Sequence, residues 1–163
     1  MSEEKRIEGF WREYEFLSNF YPSPIEYEEM RFPTVEHAFQ AAKSLDLATR
    51  ERFTRYPTPG AAKRAGRRLE LRPDWDKVRI GIMGELIALK FAPGTALCHK
   101  LLATGGATLV EENWWRDRFW GTTNGIGENW LGRLLMSRRA ELSEIWGTIG
   151  FDVIPGETRG RVK

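Results

Sequence analysis

The sequence predicts an α+β fold that is mainly helical, and three observations carry that reading. Apolar residues recur at helical spacing in several stretches. The strand-like segments are few and short. At 163 residues one compact domain is the default, and a chain of this size buries roughly 70% of its unfolded surface.

In chain order, Phe10-Trp11 and Phe16 to Tyr21 are aromatic-rich and read as strand and loop, ended by Pro22 and Pro24. Ile25-Glu26-Tyr27 and Met30-Arg31-Phe32 flank Glu28-Glu29 and read as a short hairpin. Thr34 is the expected N-cap of a helix from Val35 to about Leu45, with Val35, Ala38, Phe39 and Ala42 on one face. A second helix runs from Asp46 to Arg55. A third opens at Thr58-Pro59, with Pro59 in the first turn, and ends near Arg68. Asp74 is the expected N-cap of a long helix, Trp75 to Phe91, striped by Val78, Ile82, Leu86 and Leu89. Pro93-Gly94 breaks it. Thr95 to Ala103 forms another helix, stopped by Gly105-Gly106. Thr108 to Glu111 suits a short strand, 112–127 reads as loop, and Glu128 to Leu142 is the last helix.

Composition removes several classes. Hydrophobic residues at 41% and charged residues at 29% are ordinary for a globular protein. The single cysteine, Cys98, makes no internal disulfide, and no Cys/His set has zinc spacing. No apolar run approaches the ~20 residues of a membrane span. The charged start, Met1 to Arg6, lacks the apolar stretch of a signal peptide, so a soluble cytoplasmic protein is expected. Charge is uneven: residues 1–30 carry three basic against eight acidic residues, and residues 50–79 ten basic against four. That basic middle attracts phosphate unless its members are simply the wet faces of helices. The tail Arg159 to Lys163 reads as basic and frayed.

Familiar catalytic signatures are missing. Gly125-Ile126-Gly127 has the wrong spacing for a dinucleotide loop, and neither a phosphate-binding Walker loop nor a Gly-x-Ser-x-Gly elbow is present. Cys98 and His99 are adjacent on a helix and point apart. The informative stretch is Thr34 to Lys43. Glu36, Gln40 and Lys43 share one polar helical face, which suits either a site or a solvated surface. A second carboxylate, Asp117, lies beside Trp120-Gly121 in a loop.

These residues resemble the NADAR (YbiA-like) family. The likeness starts at Phe16-Leu17-Ser18-Asn19-Phe20 and Thr34 to Lys43. It continues through Trp75-Asp76-x-x-Arg79-x-x-x-Met83, Lys90-Phe91, Leu101-Leu102-x-Thr104-Gly105 and Leu109-Val110-Glu111. It closes with Asp117-x-x-Trp120-Gly121 and Gly127-x-Asn129-x-Leu131-Gly132-x-Leu134-Leu135-Met136. It implies a single domain over 10–142, with an N-terminal segment 1–9 and a C-terminal extension 143–163. Two departures are that extension and Glu28-Glu29, where the family pattern leads one to expect a glycine.

The resemblance implies an N-glycosidase that cuts a ribose C1–N bond. Its expected partner is a phosphorylated or ADP-ribosylated N-glycoside. This is either a phosphoribosylamino-pyrimidine intermediate of riboflavin synthesis or an ADP-ribosyl base, including ADP-ribosylated guanine in DNA. No metal and no organic cofactor are implied. Cleavage builds positive charge on the sugar, so a carboxylate near C1 is needed. Glu36 takes that role, as base or cation stabiliser, with the helix dipole expected to favour its ionised form. Asp117 is the second candidate, acting on the leaving nitrogen or holding ribose hydroxyls. Lys43, Arg79 and Lys90 are candidate phosphate contacts, although Lys90 also suits a lysine with a buried stem. Trp120 and Phe20 are candidates for stacking on the base, Phe20 alternatively being core. Asn19, Gln40 and Gly121 complete the substrate-binding set. Trp11, Trp75, Trp115, Trp130 and Trp146 are assigned to packing. The competing readings are a module that binds ADP-ribose or NAD without cutting it, and a nucleic-acid binder that uses the basic middle.

Overall fold

A computed structural model describes residues 4–149. The chain order is β1 (Arg6–Glu8), a 3-10 helix (Arg12–Leu17), β2 (Ile25–Tyr27), β3 (Met30–Phe32), α1 (Val35–Ala41), α2 (Leu47–Phe53) and α3 (Pro59–Gly66). Then come α4 (Trp75–Lys90), α5 (Ala96–Ala103), β4 (Thr108–Val110) and α6 (Trp130–Ile149). Helices carry the fold, and the strands form two separate two-stranded pairs. β1 and β4 are parallel, with Ile7 opposite Leu109, and β2 and β3 form the expected antiparallel hairpin.

The helix starts follow side-chain chemistry. Thr34, Asp46, Thr58 and Thr95 each accept a backbone N–H from the residue three positions on; such a cap contributes about 1 kcal/mol. Asp74 occupies the N-cap position of α4 but makes no cap bond. Its carboxylate instead accepts two bonds from Arg72, at 2.6 and 3.0 Å. At the hairpin tip Glu28 and Glu29 both have positive φ, 47° and 63°. The turn therefore needs the conformation glycine adopts most easily, and two glutamates supply it. Arg50, buried, pairs with Glu28 and ties the tip to α2.

Three expectations are corrected. The first strand is Arg6–Glu8, not Phe10-Trp11, because Gly9 turns the chain at φ 79° just after it. The segment behind it winds into the 3-10 helix that buries Phe16 and Leu17. α1 ends at Ala41 rather than near Leu45. Its last turn tightens through Lys43 N–H to the Gln40 carbonyl and Ser44 N–H to the Ala41 carbonyl, and Arg72 N–H takes the Lys43 carbonyl at 2.8 Å. α6 starts at Trp130 and runs on past Leu142 to Ile149. The basic tail Arg159 to Lys163 lies outside the described residues.

α1 sits at the centre, and all seven of its residues are buried. A helix buried all round must place its polar side chains against partners or a cavity. His37 has partners: its Nδ1 lies 2.8 Å from Thr34 Oγ1 and its Nε2 lies 3.0 Å from the Tyr56 carbonyl. That links the start of α1 to the chain entering α3. Glu36 and Gln40 meet the cavity. Among the described residues, no helix is long and apolar enough to cross a membrane.

Candidate active site

One cleft of about 840 Å³ opens beside α1, bounded by α3, the Ser18–Phe20 loop, Met83 of α4 and the loop after β4. Asn19, Phe20, Glu36, Gln40, Lys43, Asp117 and Trp120, all named from the sequence, line it.

Glu36 is only 6% exposed. Its backbone N–H donates to the Asn19 carbonyl at 3.1 Å, so the Ser18–Phe20 loop fixes the first turn of α1. Gln40 Nε2 donates to Glu36 Oε1 at 2.7 Å. Gln40 Oε1 is buried without a hydrogen-bond partner. It rests on Gly66, where a Cβ would stand 1.8 Å away, so a larger residue there would displace the Gln40 amide. Burial pushes the Glu36 pKa up, and nearby Asp117 adds to this. Lys63, the Gln40 bond and Lys43 oppose it. The expected dipole effect is therefore outweighed: a seven-residue helix end does not offset desolvation of a carboxylate.

Asp117 Oδ1 accepts the backbone N–H groups of Phe119, at 3.1 Å, and Trp120, at 2.9 Å. Asn113 brackets the same turn, taking the Asp117 N–H and donating to its carbonyl. The turn holds Trp120 edge-on to Phe39, with ring centroids 5.2 Å apart. Trp120 is thus part wall and part core.

A third carboxyl, Glu111, lines the cleft beside Asp117 and was not singled out from the sequence. Burial pushes its pKa up to about 8, reinforced by Asp117 and Glu36 and opposed by Lys63. The sequence signal was an acidic residue directly after an apolar strand, Thr108–Val110. The cations also exceed expectation: Lys63, Arg64, Arg67 and Arg116 join Lys43 on the cleft wall. Lys63 Nζ sits 5.7 Å from the Phe20 ring and 5.5 Å from the Trp115 ring. Trp115, assigned to packing, is 44% exposed and lines the cleft mouth with Trp114. Packing does hold for Trp75, which is buried against Phe39.

Arg79, Lys90 and Gly121 do not line the cleft. The Arg79 guanidinium lies 3.8 Å from the Phe119 ring centroid, behind the ring that contacts Trp120. Gly121 packs on the backbone of Glu111, where a Cβ would fall 2.1 Å from the carbonyl oxygen. Lys90 is 4% exposed and donates to the Ser18 carbonyl at 2.7 Å. It braces the loop that carries Asn19 and Phe20.

Burial pushes the Lys90 pKa down from 10.5 to about 7. The unfolded chain then holds a proton that the folded chain lacks between those values. Lys90 thus makes stability rise with pH from about 7 to 10.5. Lys90→Met should flatten that rise in a series of melting temperatures. An unchanged slope would mean that the amine stays charged in the folded state.

Among the described residues, no group of three or more His, Cys, Asp or Glu side chains is arranged to hold a metal ion.

The NADAR domain family matches residues 9–143. N-glycosidase YbiA of Escherichia coli is 40% identical over 136 residues, 80% of this chain and 83% of that protein. An N-glycosidase of Nostoc punctiforme is 38% identical, over 86% of this chain and 93% of that one. A riboflavin biosynthesis protein of Vibrio vulnificus is 39% identical over 132 residues, and the match spans 36% of its length. The NMR structure of E. coli YbiA superposes with a TM-score of 0.78 at 36% identity, covering 89% of each chain. The match over most of the chain, the identity to proteins of similar length and the shared fold together mean that this chain belongs to the NADAR family of N-glycosidases.

Proposed function

We propose that the chain hydrolyses the ribose C1–N bond of a phosphate-bearing N-glycoside in this cleft. The observation that carries the reading is a buried carboxyl, Glu36, facing a cleft that also holds Asp117 and a wall of cations.

Each group has a task. As the C1–N bond lengthens, positive charge grows on the sugar, and Glu36 stabilises it and receives the proton of the attacking water. The Gln40 amide holds Glu36 Oε1 in place. Asp117 spends one oxygen on the Phe119 and Trp120 N–H groups. Its other oxygen suits ribose hydroxyls better than the leaving nitrogen. Trp120 and Phe20 offer faces for the base, and the Asn19 amide reaches the same space. Lys43, Lys63, Arg64 and Arg67 receive the phosphates.

Two substrates fit this chemistry. A phosphoribosylamino-pyrimidine is supported by the riboflavin names of two relatives. An ADP-ribosyl base is supported by the number of cations, since one phosphate needs only one or two. The test incubates the protein with a phosphoribosylamino-pyrimidine and, separately, with an oligonucleotide bearing ADP-ribosylated guanine, and measures released base or ribose phosphate. Tight binding with no product from either would favour a non-catalytic ADP-ribose module. On the oligonucleotide, a steep fall of affinity with salt marks contact with the polymer, and a flat response marks recognition of the modified nucleotide alone.

Lys63 carries a further expected result. It has no ion-pair partner among the described residues and stands between Phe20 and Trp115 at the mouth. Lys63→Ala should raise KM roughly tenfold or more, the loss of one charged hydrogen bond, and leave the melting temperature within about 2 °C. An unchanged KM would remove Lys63 from the phosphate site.

A further inference from the structure

We infer that Glu111 is the catalytic residue that protonates the departing nitrogen. This rests on the hydrolytic reading above, which assigns Glu36 and Asp117 but leaves the leaving group without a proton donor.

The geometry begins with the backbone. Glu111 follows β4, and its main chain is held on every side. Its N–H donates to Asn129 Oδ1 at 3.0 Å, while Asn129 Nδ2 donates to the Leu109 carbonyl at 2.9 Å. Its carbonyl accepts Thr122 N–H at 2.9 Å. Gly121 and Gly132 have no Cβ, and one would fall 2.1 Å from the Glu111 carbonyl and 2.2 Å from the Leu109 carbonyl respectively. Several residues thus fix the end of one short strand to a narrow tolerance.

The side chain so presented lines the cleft, yet its carboxyl makes no hydrogen bond to the protein among the described residues. Both other carboxyls of the cleft are engaged: Glu36 by Gln40, Asp117 by two backbone N–H groups. A carboxyl carried on so fixed a backbone, with no protein partner of its own, is left free for a ligand. Its surroundings suit an acid. Glu36 from α1 and Asp117 from the following loop both favour its protonated form, and Lys63 from α3 opposes it. The other cleft cations are Lys43, Arg64, Arg67 and Arg116. Burial and Asp117 push Glu36 up as well, although its amide donor and two lysines favour its carboxylate. What separates the two is geometry: Gln40 donates to Glu36 and so holds an acceptor, while the Glu111 carboxyl is free to donate a proton to a ligand.

The step balances. The C1–N bond breaks with its electron pair on nitrogen, and the Glu111 carboxyl proton moves to that nitrogen. Water oxygen bonds to C1 and gives its proton to Glu36. Free amine and the C1 hydroxyl leave, and Glu111 and Glu36 return to their starting forms by exchange with solvent in the open cleft.

The experiment measures kcat against pH for the wild type and Glu111→Gln, on whichever of the two probes above the wild type hydrolyses. The wild-type kcat should fall as pH rises through about 8. Glu111→Gln should lose about 10²–10⁴-fold in kcat and lack that alkaline limb, with KM and melting temperature close to wild type. A variant that keeps its kcat within a few fold, or keeps the limb, overturns the assignment. Should Glu111→Gln fail to fold, the wild-type profile decides: a kcat level from pH 7 to 9.5 overturns it. A wild type that hydrolyses neither probe removes the underlying reading, a different failure.

Discussion

Glu36→Gln should abolish turnover while keeping fold and ligand. Gln has the shape of Glu, and the Gln40 amide can still donate to its carbonyl oxygen, so the contacts of α1 survive. What disappears is a group able to become negative beside C1 and to take a proton from water. The expected loss is about 10³-fold in kcat or more, at similar KM. Stability moves the other way. Burial raises the Glu36 pKa above its ordinary value of 4.5, so above that value the folded chain holds protons that the unfolded chain has lost. Stability contributed by the protonated form is therefore lost as pH rises, and the neutral amide removes that loss. Glu36→Gln should melt at or above the wild-type temperature at pH 7. The measurement pairs a thermal melt and calorimetric ligand binding with steady-state kinetics. A near-wild-type kcat in a folded variant would sink the assignment.

The helices were legible because their signals are local. Thr34, Asp46, Thr58 and Thr95 cap where they stand, and the apolar stripes follow one period. Boundaries were less legible where tertiary bonds decide. α1 stops short because the Lys43 carbonyl is taken by Arg72, almost thirty residues away. Asp74 looks like a cap, but a guanidinium two residues before it wins its carboxylate. The site divides in the same way. Glu36, Gln40 and Lys43 share one helix face, so spacing alone grouped them. That the face is buried rather than solvated is a property of the packed helices around it.

Lys63 comes from α3 and Glu111 and Trp115 from the loop after β4, and no sequence period links either segment to α1. The basic middle shows the limit of counting charge. Lys63, Arg64 and Arg67 reach the cleft. Arg50 instead holds Glu28, Arg72 holds Asp74, Arg55 holds Glu51, and Arg79 lies on Phe119. Lys90 fits a helical row with Arg79 and Met83, yet its amine is turned into the protein toward Ser18.

Gly121→Ala should damage both stability and turnover, through backbone rather than chemistry. The added Cβ would stand 2.1 Å from the Glu111 carbonyl oxygen and 2.8 Å from Asn113 Nδ2. The nearest atom is backbone, so no rotamer change relieves it. Strand β4 or the loop must move. Both are tied down: Thr122 N–H donates to that same Glu111 carbonyl, and Asn129 N–H donates to the Gly121 carbonyl at 3.2 Å. Gly127 leaves no slack, since its own Cβ position lies 2.3 Å from the Gly121 carbonyl oxygen. Overpacking of this kind costs about 1–3 kcal/mol, which lowers the melting temperature of a chain this long by roughly 2–12 °C. The same shift moves the Glu111 carboxyl and the Asp117 turn together, and misplacement by about 1 Å can cost roughly 100-fold in rate. The two effects separate by temperature. Assayed well below its melting point, Gly121→Ala should still be slow, because its folded state holds displaced carboxyls. A variant that melts early yet turns over normally when cold would show that the glycine serves stability alone.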